Sequence, residues 1–240
     1  MITLRWGQER HHETCLEEEG WATFRPQERD DPLADGFGAL ELLNEDWLPP
    51  GAGVRRRARV HTEVVTYVRE GTLACSDSSG GSGVLRAGGF RCMPAGPGMS
   101  HDEINASPTD GAHFFQVWLR HSGSGVAPSQ DQLRFSAAER RGQFRVVATP
   151  NGRGGSLCLN LDATIYSALI EPGQRLVHQL PPGRRAWLHV VQGEMMIGKV
   201  LLTTGDGAGV TAEQEVVVAA QEKTEVLLVD LDAADPPRTD

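Results

Sequence analysis

Two short stretches hold the residues able to do chemistry. In GGFRCMPAGPGMSHDEIN, residues 88–105, a turn rich in Gly and Pro leads to His101, with Glu103 two residues on and Asn105 two further. On an extended strand, residues i and i+2 share a face roughly 7 Å apart, so His101 and Glu103 are expected to look together into a core. An imidazole and a carboxylate on one inward face make half of a site for a first-row metal such as Fe, Mn, Ni, Cu or Zn. The other half has to come from a neighbouring strand. The stretch GAGVRRRARVHTEVVTYVREG, residues 51–71, puts Arg57, Arg59, His61 and Glu63 at one parity. Arginine stays protonated and has no lone pair to offer a metal. Four readings follow. His101 and Glu103 form a buried hydrogen bond without metal; Arg57 and Arg59 pair with Glu103 and Glu63 in a salt-bridge cluster; His61, His101 and Glu103 form a two-His, one-carboxylate centre; or the arginines swing to solvent and leave an empty pocket.

The elements that position these residues are short. Runs such as ITLRW, VVTYV, FFQVWL, FRVVA, AWLHVV and EVLLVDL are separated by Gly, Pro, Asp and Ser. That spacing predicts an all-β sandwich or barrel with few helices. The helical candidates are short: residues 39–45, and SAAERR at 136–141, where Ser136 and Glu139 have capping-box spacing. HSGSGVAPSQDQ divides the chain near its middle, and each half carries a similar run of strands, as duplicated barrels would. The expected organisation is a first barrel over 1–120, a linker with a short helix over 121–145, a second barrel over 146–232 and a tail over 233–240. The acidic runs at 17–19 and 28–31 read as solvated loops.

Composition narrows the partners. With 23 basic and 32 acidic residues the 240-residue chain carries a formal charge of −9. That balance disfavours nucleic acid, which needs a basic face. No run has the length of a signal peptide or a membrane span, so a cytoplasmic, membrane-free protein is expected. Cys15, Cys75, Cys92 and Cys158 lie far apart and read as free thiols. Cys92 precedes the turn to His101 and is the redox candidate, since a nearby arginine lowers a thiol's pKa; a small buried hydrophobe is the plainer reading. His11, His12, His113, His121, His178 and His189 read as surface or satisfied core histidines.

Several longer segments resemble the pirin family of bicupins: GWATF, DPLADGFGALELLNEDWLPPGAG, TYVREGTLACSDSSG and MPAGPGMSHDEIN in the first half, with GRRAWLHVVQGEMMIG, GDGAGV and EVLLVDL in the second. The resemblance spans residues 1 to about 232. It implies two antiparallel β-barrels of the double-stranded β-helix (jelly-roll) type packed face to face, with a metal, usually iron, in the first. It also implies, for some members, quercetin 2,3-dioxygenase activity. The family's ligands are three histidines and a glutamate. The second pair falls on His101 and Glu103, but the HxH pair falls on Arg57 and Arg59, the acidic position after it is His61, and the next glutamate is Glu63. Each guanidinium a few Å from a divalent cation costs several kcal/mol at an effective dielectric of about 20. The expectation is therefore a non-catalytic or regulatory pirin-like protein without cofactor. It would bind a small aromatic or anionic ligand, or a protein partner, and act as a monomer. The alternative is a metal-dependent oxygenase of the quercetin 2,3-dioxygenase type that uses His61, His101 and Glu103.

Overall fold

β-branched and aromatic residues fit a pleated, half-buried surface, and the turn residues between them keep each run short. The computed structural model describes residues 1–14, 18–26, 28, 30–57, 62–78, 80–94, 100–120 and 132–234, with backbone alone at 55–57 and 94. In chain order the strands begin with β1 (Ile2–Arg5), β2 (His11–Thr14), β3 (Glu19–Ala22), β4 (Leu40–Leu48), β5 (Gly53–Arg57) and β6 (Thr62–Glu70). Next come β7 (Thr72–Asp77), β8 (Ser82–Arg86), β9 (Gly89–Pro94), β10 (Ser100–Asn105), β11 (Ala112–Arg120) and β12 (Gln132–Arg134). A helix, α1 (Ala137–Arg140), leads to β13 (Arg145–Thr149), β14 (Leu157–Cys158), β15 (Ala163–Ile170), β16 (Arg175–Gln179) and β17 (Arg184–Gln192). The last strands are β18 (Glu194–Ile197), β19 (Val200–Thr203), β20 (Gly207–Thr211), β21 (Glu215–Ala220) and β22 (Thr224–Asp232).

Among the described residues these strands form four sheets. In the first barrel the seven-stranded sheet β12-β9-β6-β11-β4-β3-β2 packs on the four-stranded sheet β5-β10-β7-β8. The second repeats the plan, with β1-β20-β17-β22-β15-β13-β14 on β16-β21-β18-β19. The two large sheets lie back to back, which explains why their central strands are apolar on both sides. On β6, Val64 and Val68 face inward, while Val65 and Tyr67 join Phe90, Phe115, Trp187 and Leu227 in a core between the barrels. On β22, Val226 and Leu228 fill the second barrel, while Leu227, Val229 and Leu231 enter the shared core.

The structure moves three boundaries. Ile2–Arg5, expected in the first barrel, pairs antiparallel with Val210–Gly207 and forms the edge of the second barrel's sheet. Gln132–Arg134, expected in the linker, pairs with β9 of the first barrel. The helix expected at 39–45 is strand β4. Its Leu40 and Leu43 share a side at helical spacing because a bulge at Glu41 lets Leu40 and Leu43 oppose Leu119 and Val117, which are two residues apart. The second helix is present, and Ser136 and Glu139 close its capping box. Asp31, expected in a solvated loop, accepts from Arg5 at 2.5 Å. Two glycines of β20 let aromatic rings lie on its backbone: a Cβ at Gly207 would meet Trp187 at 2.4 Å, and one at Gly209 would meet Phe37 at the same distance.

Candidate functional site

β10 carries His101, Glu103 and Asn105 on one face, and all three are buried. Asn105 is structural: its amide donates to the carbonyls of Leu48, Pro49 and Asp110 at 2.8–3.1 Å and so pins the turn that follows. Across the barrel, β6 and β11 answer with Thr66 and Gln116, which oppose each other directly. Gln116 Nε2 donates to Glu103 Oε1 at 2.8 Å and lies 3.5 Å from His101 Nε2. Trp118 Nε1 donates to Gln116 Oε1 at 3.4 Å, which sets the amide so that its NH2 faces the carboxylate. Thr66 Oγ1 adds a donor to the same Glu103 oxygen at 3.3 Å, and the Trp118 ring stands 6.0 Å from the His101 ring.

His101 and Glu103 are thus brought together as expected, anchored by Gln116, Thr66 and Trp118. The sequence carried a signal for this: FFQVWL places one amide in an otherwise apolar strand.

The other expected members fare differently. Arg59, His61 and the Arg57 side chain lie outside the described residues. The backbone register of β5 sets residue 56 opposite His101 and residue 57 opposite Ser100. Directly opposed residues of an antiparallel pair share a face, so this is one step away from the expectation. Glu63 does not join His101 and Glu103. It faces the second barrel, where the backbone N–H and the side-chain amide of Asn160 donate to its two oxygens at 2.8 and 2.5 Å. Burial pushes the Glu63 carboxyl above the usual carboxylate range, with the Asn160 donors opposing it. Parity failed here because β5 and β6 belong to different sheets, so residues 57 and 63 are not on one continuous strand.

Cys92 follows the plainer reading, a small buried hydrophobe. It is 2% exposed, opposes Val65 on β6 and packs in the core between the barrels, a setting that shields a thiol from oxidants. Cys75, across from Glu103 on β7, has its thiol pushed up to about 12, by burial first and then by the Glu103 charge.

A cavity of about 960 Å³ is lined by His11, Trp21, Phe24, Arg25, Asn44 and Asp46 among others. Asn44 directly opposes Gln116, and Ala22 and His11 continue the same cross-strand row onto β3 and β2. Its lining thus includes inner-face residues one strand away from Gln116.

In the second barrel, His178 Nε2 donates to Asp230 at 2.8 Å, and Arg184 donates to the other oxygen at 2.7 Å, a satisfied core histidine as expected. His189 is different. It is wholly buried between the barrels, and neither ring nitrogen has a hydrogen-bond partner among the described residues. Among the described residues, no group of three or more His, Cys, Asp or Glu is placed to hold a metal ion.

Comparison with known proteins fits this architecture. The family model described as "Pirin" matches residues 10–119, and that described as "Quercetinase C-terminal cupin domain" matches residues 146–231. Quercetin 2,3-dioxygenase of Escherichia coli (strain K12) is 36% identical over 231 residues, covering 96% of this chain and 99% of the relative. The chain belongs to the pirin family. The crystal structure of the pirin YhhW from Escherichia coli superposes with a TM-score of 0.87 at 33% identity, over 99% of this chain and 100% of that one. Another YhhW crystal structure, a complex with nickel(II), gives 0.86 at 34% identity, over 98% and 100%. A pirin-like protein of Caulobacter vibrioides is 31% identical over 201 residues, covering 83% of this chain and 86% of the relative.

An imidazole and an anchored carboxylate suit one half of a divalent cation's donor set. Residues 54–57 read Val-Arg-Arg-Arg and residue 59 is arginine, a side chain with no lone pair to offer a metal.

Proposed function

We propose that this pirin is a small-molecule-binding, non-catalytic member of its family, in which guanidinium groups stand where the metal-binding strand should carry imidazoles. The observation that carries this reading is the pairing of a retained His101–Glu103 half-site with arginine at residues 55, 56, 57 and 59. The donor set does not fit the metal implied by the family, so no reaction step is assigned through one. The buried Glu103 carboxylate supplies the negative charge that arginines of the neighbouring strand can pair with in the empty protein. A ligand bringing its own phenolate or carboxylate competes for those guanidinium groups. The 960 Å³ cavity has the volume of a drug-sized ligand site.

The test is metal content of protein purified without added metal. Far less than one equivalent of Fe, Mn, Ni, Cu or Zn is expected, unchanged by His101→Ala. Near-stoichiometric metal in the wild type, lost with His101→Ala, would sink the proposal. One observation favours a second reading: His101 and Glu103 remain anchored as an inward pair, and the relative named quercetin 2,3-dioxygenase is 36% identical. On that reading His61 completes an oxygenase site with His101 and Glu103. Oxygen uptake with quercetin by metal-supplemented wild type, abolished by His61→Ala, would select it.

A further inference from the structure

The same strands carry a second cavity on their opposite face. Trp21, Glu45 and Phe115 oppose one another across β3, β4 and β11, and so do Glu19, Trp47 and His113. Both rows belong to the outward side of the sheet, where Phe115 runs under the second barrel, 5.8 Å from the His189 ring. Alongside that contact Glu19, Trp21, Glu45, Trp47 and His113 line a notch of about 220 Å³.

Its chemistry is specific. Trp47 is 39% exposed, an uncommon state for so large an apolar ring. Trp21 is held from behind by His12, stacked at 4.7 Å and 11°, and His12 in turn contacts Glu19 at 3.0 Å. Glu45 is buried and already committed on both oxygens, to Arg10 at 2.7 Å and His113 at 2.8 Å. Arg69 donates to His113 Nδ1 at 3.2 Å, so Nε2 carries the proton that Glu45 accepts. Of the two carboxylates that line the notch, Glu45 is already matched by the Arg10 guanidinium, while Glu19 contacts only the His12 imidazole among the ion pairs of the described residues and is 40% exposed at its side chain.

We propose that this notch binds an organic cation, an alkylated ammonium or a guanidinium group, seated against Trp47 and Trp21 with Glu19 supplying the opposite charge. Ring faces attract cations, most strongly those of Trp, and a nearby carboxylate adds to that attraction. A volume below the usual range for drug-sized ligands limits the occupant to a head group or a single side chain. The cation comes either from a free amine or from the arginine of a partner, and the two sources share this chemistry.

The experiment follows the five tryptophan indole N–H signals by ¹H–¹⁵N NMR during titration with tetramethylammonium chloride and, separately, N-acetylarginine amide, each against sodium chloride at equal ionic strength. Saturable movement of the Trp21 and Trp47 signals is expected, with Trp118 and Trp187 unmoved. Trp47→Ala should weaken binding roughly tenfold, and Glu19→Gln, which leaves both rings in place, about threefold. Saturation by tetramethylammonium alone identifies a free amine as the source; saturation by the arginine derivative alone identifies a side chain; both outcomes support the site. Shifts no larger than those with sodium chloride, or unchanged affinity in Trp47→Ala, overturn it.

Discussion

Gln116 does for the first barrel what its sequence neighbours cannot: it gives a buried carboxylate a fixed partner 2.8 Å away and holds it beside an imidazole. Gln116→Leu removes this donor and should cost about 1–3 kcal/mol in urea unfolding; an unchanged midpoint would mean that the contact carries little. Two other residues set the response to acid. Burial alone would push the Glu45 carboxyl up, but the His113 hydrogen bond and the Arg10 guanidinium outweigh it and bring it down to about 2. Burial drives His189 down to about 3, with Arg10 adding to the effect and Glu45 opposing it. Both groups bind protons less readily folded than unfolded, so both contribute stability at neutral pH that is lost on acidification. For His189 the loss runs from about pH 6.5 toward 3, and for Glu45 from about pH 4.5 toward 2. Urea unfolding measured from pH 7 to 4 should show a loss of a few kcal/mol, on the scale of 1.4 kcal/mol per pKa unit, and His189→Leu should flatten the upper part of that loss. The pairing of His101 with Glu103 was legible because the two are two residues apart on one strand. The partner across the barrel was visible only as an amide in an apolar run, and nothing local announced that Glu63 would reach Asn160, 97 residues away.

Strands, turns and the duplicated plan were readable from turn residues and apolar runs; what misled was periodicity where a strand bends. Leu40 and Leu43 look helical because the bulge at Glu41 adds one residue to β4, and only pairing with Leu119 and Val117 reveals it. The same limit explains the parity error at residues 57–63, where the chain leaves one sheet and enters another. β20 shows how an element is set by what lies on it. Gly207→Ala places a Cβ within 2.4 Å of the Trp187 ring, which itself packs on Phe24 at 4.8 Å and Phe37 at 5.5 Å. Such overpacking should cost about 1–3 kcal/mol, seen as a lower Tm with the tryptophan emission shifted; an unchanged Tm would mean that the ring has room to move.

The two barrels behave as one body because polar as well as apolar groups cross between them. Arg140, from the short helix, donates to Tyr67 of the first barrel at 2.8 Å, and to Glu225 at 2.8 Å and Ser167 at 3.2 Å of the second. The Tyr67 hydroxyl donates to Glu225 as well. Arg140→Met leaves a buried carboxylate short of its cation and should cost about 3–5 kcal/mol. Because the network spans both barrels, a single cooperative transition at lower urea is expected; a variant that melts in two steps, with one barrel as stable as before, would show that the halves are independent. The pairing of β1 with β20 also has a bearing on biosynthesis. On the ribosome Ile2–Arg5 emerges about two hundred residues ahead of its partner. The strands of the first barrel therefore emerge while β1 waits, and the second barrel closes on a strand made before the first barrel. Until its partner is made, β1 carries an unpaired edge, so the window for mispairing between nascent chains stays open until β20 has left the exit tunnel.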